Sequence, residues 1–223
     1  MPQVTITETL ERAGPDLDSF LASAQSAISN FLDLDVCVLS SVDPATGLQT
    51  SCEVFGLPKD PERELKVFEL EWFSGDPLPY HELARAGVPA SSMRLTTDPN
   101  RVRRFKEIYE PNGGYDELRV SCLSGGTWWA TLTGFRVVGT PAFSEEDVAR
   151  AASIGPDIAA GFRRSFLYAA AGNPGTIERP PGTFTIDDKG RFATTTSTAE
   201  EWLTADDEER RTHDTRALRD GGA

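Results

Sequence analysis

The sequence predicts an α+β protein, an antiparallel sheet flanked by an N-terminal and a C-terminal helix, followed by a short β-hairpin and helix. Three observations predict it. Apolar residues recur at spacings of three and four in two long stretches, one near residue 20 and one near residue 155. Two β-rich hairpin patterns lie between those stretches. The segment joining the hairpins, residues 56–115, keeps neither period and is broken throughout by proline and glycine.

Each element follows in order. Residues 1–15 end at Gly14-Pro15 and read as a polar arm. Over Asp16–Leu32 the positions Leu17, Phe20, Leu21, Ala24, Ile28 and Phe31 make one apolar stripe, and Asp16 and Asp18 suit the positive end of a helix dipole. Asp35–Val42 and Leu48–Phe55 are β-rich and flank the turn Asp43–Gly47. Short helices are expected around 62–73 and 102–109. Glu117–Leu123 and Trp128–Val138 pair around Ser124-Gly125-Gly126-Thr127, because glycine accepts the positive φ of a tight hairpin turn. Alternation there puts Trp129, Thr131, Thr133 and Phe135 on one face, and Trp128, Ala130, Leu132 and Gly134 on the other. Ser144 caps a long helix running to about Ala171, with Asp147 in the place of a capping-box glutamate and Gly155-Pro156 as the expected bend. Gly172–Gly182 reads as a linker. Thr183–Asp187 and Arg191–Thr195 flank Asp188-Lys189-Gly190 as a third hairpin, a helix follows over Ser197–Leu203, and the charged tail 205–223 is expected to be disordered.

Composition narrows the function. Apolar residues are 39% of the 223 and the 19 glycines add to them, close to the ~45–50% usual for globular domains. No run approaches the ~20 apolar residues that span a bilayer, and the N-terminus lacks a basic, then apolar, export pattern. The expected location is the cytoplasm. Cys37, Cys52 and Cys122 cannot all pair, show no CxxC spacing, and sit in apolar contexts that suit free thiols. A net charge of −13 opposes phosphate binding, and the basic clusters Arg101–Lys106 and Arg163-Arg164 are too short to override it. No direct nucleic-acid binding and no membrane contact is expected.

Motifs for catalysis are missing. His81 and His213 lie far apart, and no metal-ligand spacing is present. Gly125-Gly126 lacks the Lys-Ser/Thr of a phosphate loop, and no G-x-S-x-G nucleophile elbow occurs. The run Asp206-Asp207-Glu208-Glu209 is a solvated charge cluster. No catalytic residue, metal or cofactor is expected, and the chain is read as a non-enzyme.

At this point a family pattern becomes visible. Glu117-Leu118-Arg119, Gly125-Gly126, Trp129 with Leu132, Arg136, Phe143-Ser144-Glu145-Glu146, and Pro156 through Arg163 occur in an order that resembles the GAF-like sensor domain of actinobacterial LuxR-type (helix-turn-helix) transcription regulators. Ala130 stands where that pattern has glycine, and Trp128 replaces a smaller residue. The stretch TFTIDDKGRFATTT…AEEWL resembles the start of a PAS domain, of which only about 40 residues follow the linker. The resemblance implies a GAF-like domain at 16–171, a PAS-like remnant at 183–204, and an output domain that this chain lacks. The chain is then either cut from a longer regulator or a natural sensor fragment.

The resemblance also implies sites. A GAF pocket lies between the sheet and the connecting segment, and Phe73, Tyr80, Met93, Tyr109, Cys122 and Trp128 are the candidates to line it, with ordinary core packing as the alternative for each. It leaves room for an unidentified small-molecule effector. The first and last helices of such domains commonly pair between subunits, so Phe20, Ala24, Ala27, Phe162 and Phe166 are the candidate interface of a homodimer, although they suit packing within one chain equally well. Three functions follow. The first is a sensory module of a transcription regulator. The second is a ligand-free dimerisation scaffold. The third is a GAF-fold methionine sulfoxide reductase using Cys52 or Cys122.

Overall fold

Helix caps set the frame of the structure. The computed structural model describes residues 5–172, 183–186, 192–201 and 204, and the chain divides into two units, Met1–Gly172 and Asn173–Ala223. In the first unit, α1 (Ile6–Arg12) opens with a complete capping box between Thr5 and Glu8, and α2 (Leu17–Leu32) is capped by Asp16, whose carboxylate accepts from Ser19 N at 2.9 Å. The expected polar arm is therefore helical over Ile6–Arg12. Leu10 is buried, Thr7 donates to Asp157 at 2.8 Å, and the Leu10 carbonyl accepts from Arg164 at 3.1 Å. Seven residues are too few to display a period, but the Thr-x-x-Glu cap was there to be read.

β1 (Val36–Val42) and β2 (Gln49–Phe55) form the first hairpin. α3 (Pro61–Phe73) and α4 (Tyr80–Ala86) follow, then β3 (Ala90–Ser92) and a single turn, α5 (Met93–Thr96). Phe105–Tyr109 forms a π turn rather than the expected α-helix. β4 (Gly114–Ser124) and β5 (Thr127–Val137) make the second hairpin around Gly125 and Gly126, both with positive φ of 61° and 78°. The sheet order is β2-β1-β5-β4-β3, and every pairing is antiparallel. α6 (Glu145–Gly172) closes the unit, with Ser144 and Asp147 in the reciprocal cap that the sequence predicts.

Strand alternation separates two layers. Cys37, Leu39, Leu118, Val120 and Leu132 pack against α1, α2 and α6 to form the main core. Residues of the opposite parity face the connecting segment. The alternation expected for Trp129 fails: Cys122 pairs with Ala130 and Leu123 with Trp128, so Trp129 is the extra residue of a bulge. It packs on the helix side, its ring 6.4 Å from that of Phe166.

The second unit contains β6 (Phe184–Ile186) and β7 (Phe192–Thr195), paired antiparallel, and residues 197–201 are helical. Of the expected linker 172–182, Gly172 ends α6 and 173–182 lie outside the described residues, as do the turn 188–190 and the tail 205–223. Among the described residues no helix is long and apolar enough to cross a membrane, and no three His, Cys, Asp or Glu side chains group as a metal site.

Candidate functional site

The face of the sheet turned away from α2 and α6 is covered by α3, α4 and the π turn, leaving a cavity of about 350 Å³. That volume falls at the lower end of the ~300–1,000 Å³ typical of small-molecule sites. Its walls are mainly apolar. Val36 and Val38 of β1 and Val54 of β2 form one side, Phe135 of β5 continues the floor, and Val67 and Ile108 close over it. Register explains the grouping, since Val38 pairs with Val54 on one side and with Thr133 on the other, while Thr133 pairs with Arg119. Across one row the floor passes from valine to threonine to arginine.

The charged end is a buried network. Glu117 accepts from Arg104 Nε and from Arg119 Nε, each at 2.9 Å, and all three side chains are almost fully buried. Arg119 Nη1 also donates to Glu71 at 2.7 Å and to the Leu78 carbonyl at 2.9 Å. Arg104 Nη1 donates to the Pro77 carbonyl at 2.9 Å, and Asp76 accepts the backbone N–H groups of Arg103 and Arg104 at 2.8 and 2.7 Å. The network thereby ties α3, the loop before α4, and the π turn to β4. Burial alone would raise the Glu117 carboxyl, but the charges of Arg104 and Arg119 outweigh it and hold the group below the ordinary glutamate value. Tyr80 lies under the Arg119 guanidinium, 4.4 Å from ring centre to Cζ, and its hydroxyl bonds Thr133 and the Leu132 carbonyl.

Of the six candidate lining residues, Tyr80 and Tyr109 border the cavity. The other four do not. Phe73 ends α3 pointing outward, 81% exposed. Met93 is buried with Val102 and Phe105 in a small separate cluster. Cys122 has core parity and faces the helices. Trp128 donates its Nε1–H to the Ala130 carbonyl at 2.9 Å and covers Gly47 of the first hairpin loop. The sequence reading passed over Val38, Glu71, Glu117 and Arg119. A signal was available for two of them: Glu117 and Arg119 flank Leu118 in a strand, so both must share one face, opposite the core.

The candidate dimer residues need correction. Phe20, Ala24 and Phe162 are fully buried within one chain, and the rings of Phe20 and Phe162 meet edge-on at 5.4 Å. Phe166 packs onto the same core, and Ala27 is half-buried. α2 and α6 satisfy each other, so this stripe is not a free surface.

The cysteines divide by face. Burial pushes the Cys37 thiol up to about 12 and raises Cys122 further, both on the helix side. Cys52 opens onto the cavity and is reachable by solvent, yet it lies deep enough that burial raises its thiol also. Alkylation of the native protein at neutral pH is expected to modify Cys52 slowly and alone, with Cys37 and Cys122 reacting only after denaturation. Peptide mass mapping reads the outcome; native labelling of Cys122 would contradict the burial described.

No family model matches the chain, and no curated protein matches it. Solved structures do. The GAF domain/HD domain protein from Geobacter sulfurreducens is similar at TM-score 0.50 and 14% identity, over 69% of this chain and 96% of that one. A GAF domain from a phosphoenolpyruvate-protein phosphotransferase of Coxiella burnetii follows at 0.49 and 17%, over 74% and 92%. An N-acylhomoserine lactone dependent LuxR-family transcription factor from Burkholderia cenocepacia gives 0.49 and 14%, over 74% and 94%. At these identities the likeness is one of fold. The five-stranded antiparallel sheet flanked by helices matches the fold of GAF domains.

Proposed function

We propose that this chain is a sensory domain that holds a small molecule in the cavity between sheet and connecting segment. One observation carries the reading: a cavity of about 350 Å³ with apolar walls ends on a hydrogen-bonded charge network that links its roof to β4. An occupant there touches α3, the π turn and four strands at once, so it binds one arrangement of the roof better than another and shifts the population between them. The resemblance of residues 117–167 to LuxR-type sensors supports transcription as the output, and that of residues 183–204 to a PAS start supports a sensory rather than catalytic setting.

The alternatives have less support. A scaffold dimerising through α2 and α6 would need Phe20, Ala24 and Phe162, which are spent inside one chain. A thiol reductase would need a stabilised thiolate, whereas burial raises all three thiols, and Cys52 lies across the sheet from Cys37 and Cys122.

The neutral fluorophore N-phenyl-1-naphthylamine tests the cavity. It is expected to bind saturably with one-to-one stoichiometry, and Val38→Trp, which fills the floor, is expected to weaken it at least about tenfold by removing a well-formed apolar site. The thermal midpoint of the variant serves as the folding control. Absence of saturable uptake by the native protein, or uptake indifferent to Val38→Trp in a folded variant, would sink the reading.

A further inference from the structure

The charge class of the occupant can be read from the network, on the reading that the cavity is a binding site. Behind and within its charged end, the two buried guanidinium groups of Arg104 and Arg119 face the three carboxylates of Glu71, Asp76 and Glu117, a balance of +2 − 3 = −1. At the rim, Arg63 donates to the Pro58 carbonyl and lies 3.9 Å from the Asp60 carboxylate. No lining cation is left over for an anion. A carboxylate or phosphate could be paired only by taking Arg119 from Glu117 or Glu71, leaving one of those buried without its partner.

The network does not hold a cation either. All six carboxylate oxygens of the buried trio already accept a donor. Glu117 takes Arg104 and Arg119, Glu71 takes Tyr80 N and Arg119, and Asp76 takes the backbone of Arg103 and Arg104. The lining carboxylate without a partner among the described residues is Glu64 of α3, so an amine is drawn to α3 rather than to the network.

Among the described residues, Arg104 Nη2 is buried without a partner behind the cavity, and two donors that border this end of it are also uncommitted. Arg119 bonds through Nε and Nη1, and its Nη2 makes no hydrogen bond to any described residue. The hydroxyl of Tyr109, a residue that borders the cavity, makes none either. Burial holds that hydroxyl protonated, so it can donate. Both groups lie at the charged end, opposite the valines of β1 and β2. We infer that the cavity takes an uncharged molecule with an apolar body and a carbonyl-type acceptor at one end, the acceptor meeting Tyr109 Oη and Arg119 Nη2, and that it rejects carboxylates and phosphates.

Displacement of bound N-phenyl-1-naphthylamine by decanamide and decanoate at neutral pH tests this, because the two share one chain and differ in head group. Decanamide is expected to compete, with decanoate at least about tenfold weaker because burying an unpaired charge is costly. Tyr109→Phe is expected to weaken decanamide about five- to tenfold, the effect of one lost hydrogen bond. The loss should fall on decanamide more than on the fluorophore, which has no carbonyl to meet Tyr109, and the thermal midpoint serves as the folding control. Competition by decanoate at or below the decanamide concentration, no competition by decanamide, or a Tyr109→Phe variant that binds decanamide normally overturns the inference. Failure of the fluorophore itself to bind through Val38 instead overturns the function proposed above.

Discussion

Replacing Glu117 by alanine is expected to cost about 3–5 kcal/mol of folding stability, the usual penalty for removing one partner of a buried ion pair. The cost arises from what stays behind. Arg104 and Arg119 keep their charges, both almost wholly out of water, and Glu117 is the one carboxylate that both contact through Nε. Against a total of roughly 5–15 kcal/mol for a domain, this leaves a marginal fold. Guanidinium denaturation with a near-ultraviolet signal measures it, and a loss under about 1 kcal/mol would mean that the pair is far better hydrated than its burial implies. The pH dependence has a fixed direction. Glu117 titrates lower in the folded chain than its ordinary value of 4.5. Its contribution is therefore complete above pH 4.5 and is lost as pH falls through the depressed folded value. The alanine variant should lack that part of the native protein's acid transition.

Phe20→Ala is the second large effect, about 3–5 kcal/mol for a buried aromatic side chain truncated in a packed core. Phe20 is fully buried and edge-on to Phe162, and it occupies the place a side chain at Gly161 would take. A Cβ on Gly161 would stand 2.1 Å from Phe20 Cε2 and 2.2 Å from Cζ. Phe20 cannot swing clear, because the ring has core on every side. Gly161→Ala alone is thus expected to be destabilising, with overpacking of about 1–3 kcal/mol exceeding the roughly 1 kcal/mol that alanine gains over glycine inside a helix. In the Phe20→Ala background the clash is gone, and the same substitution should become stabilising by up to about 1 kcal/mol. Measuring all four proteins by urea denaturation gives the cycle. No change of sign between backgrounds would defeat the account of how α2 and α6 approach.

Much of this fold is legible in the sequence because its elements carry local signals. The stripe of α2, the Ser144–Asp147 cap of α6 and the glycine pair between β4 and β5 each reflect contacts within a few residues. What escapes is set at long range. Ala90-Ser91-Ser92 has no β-branched residue and becomes β3 only because Ala90 and Ser92 pair with Val120 and Leu118. α4 is seven residues between Pro79 and Gly87, too short for a period. The candidate site was half visible for the same reason. Aromatic residues of the irregular segment drew attention, and Tyr80 and Tyr109 do border the cavity, but Val38 and Arg119 become its neighbours only through strand pairing. The bulge at Trp129 reverses the facing of one tryptophan, which alternation alone cannot foresee.

The two-sided sheet has a consequence for how the protein can change over time. In β1 the even positions 36, 38 and 40 border the cavity, while Cys37 and Leu39 belong to the core; in β5 the odd positions 133, 135 and 137 border it, while 130 and 132 belong to the core. Neighbouring codons therefore answer to different demands, one to what the cavity recognises and the next to whether the chain folds. Such a strand can drift in specificity by single steps without passing through unstable intermediates. Only at β4 do the two demands meet in the same side chains, because Glu117 and Arg119 both hold the roof and set the charge that an occupant encounters.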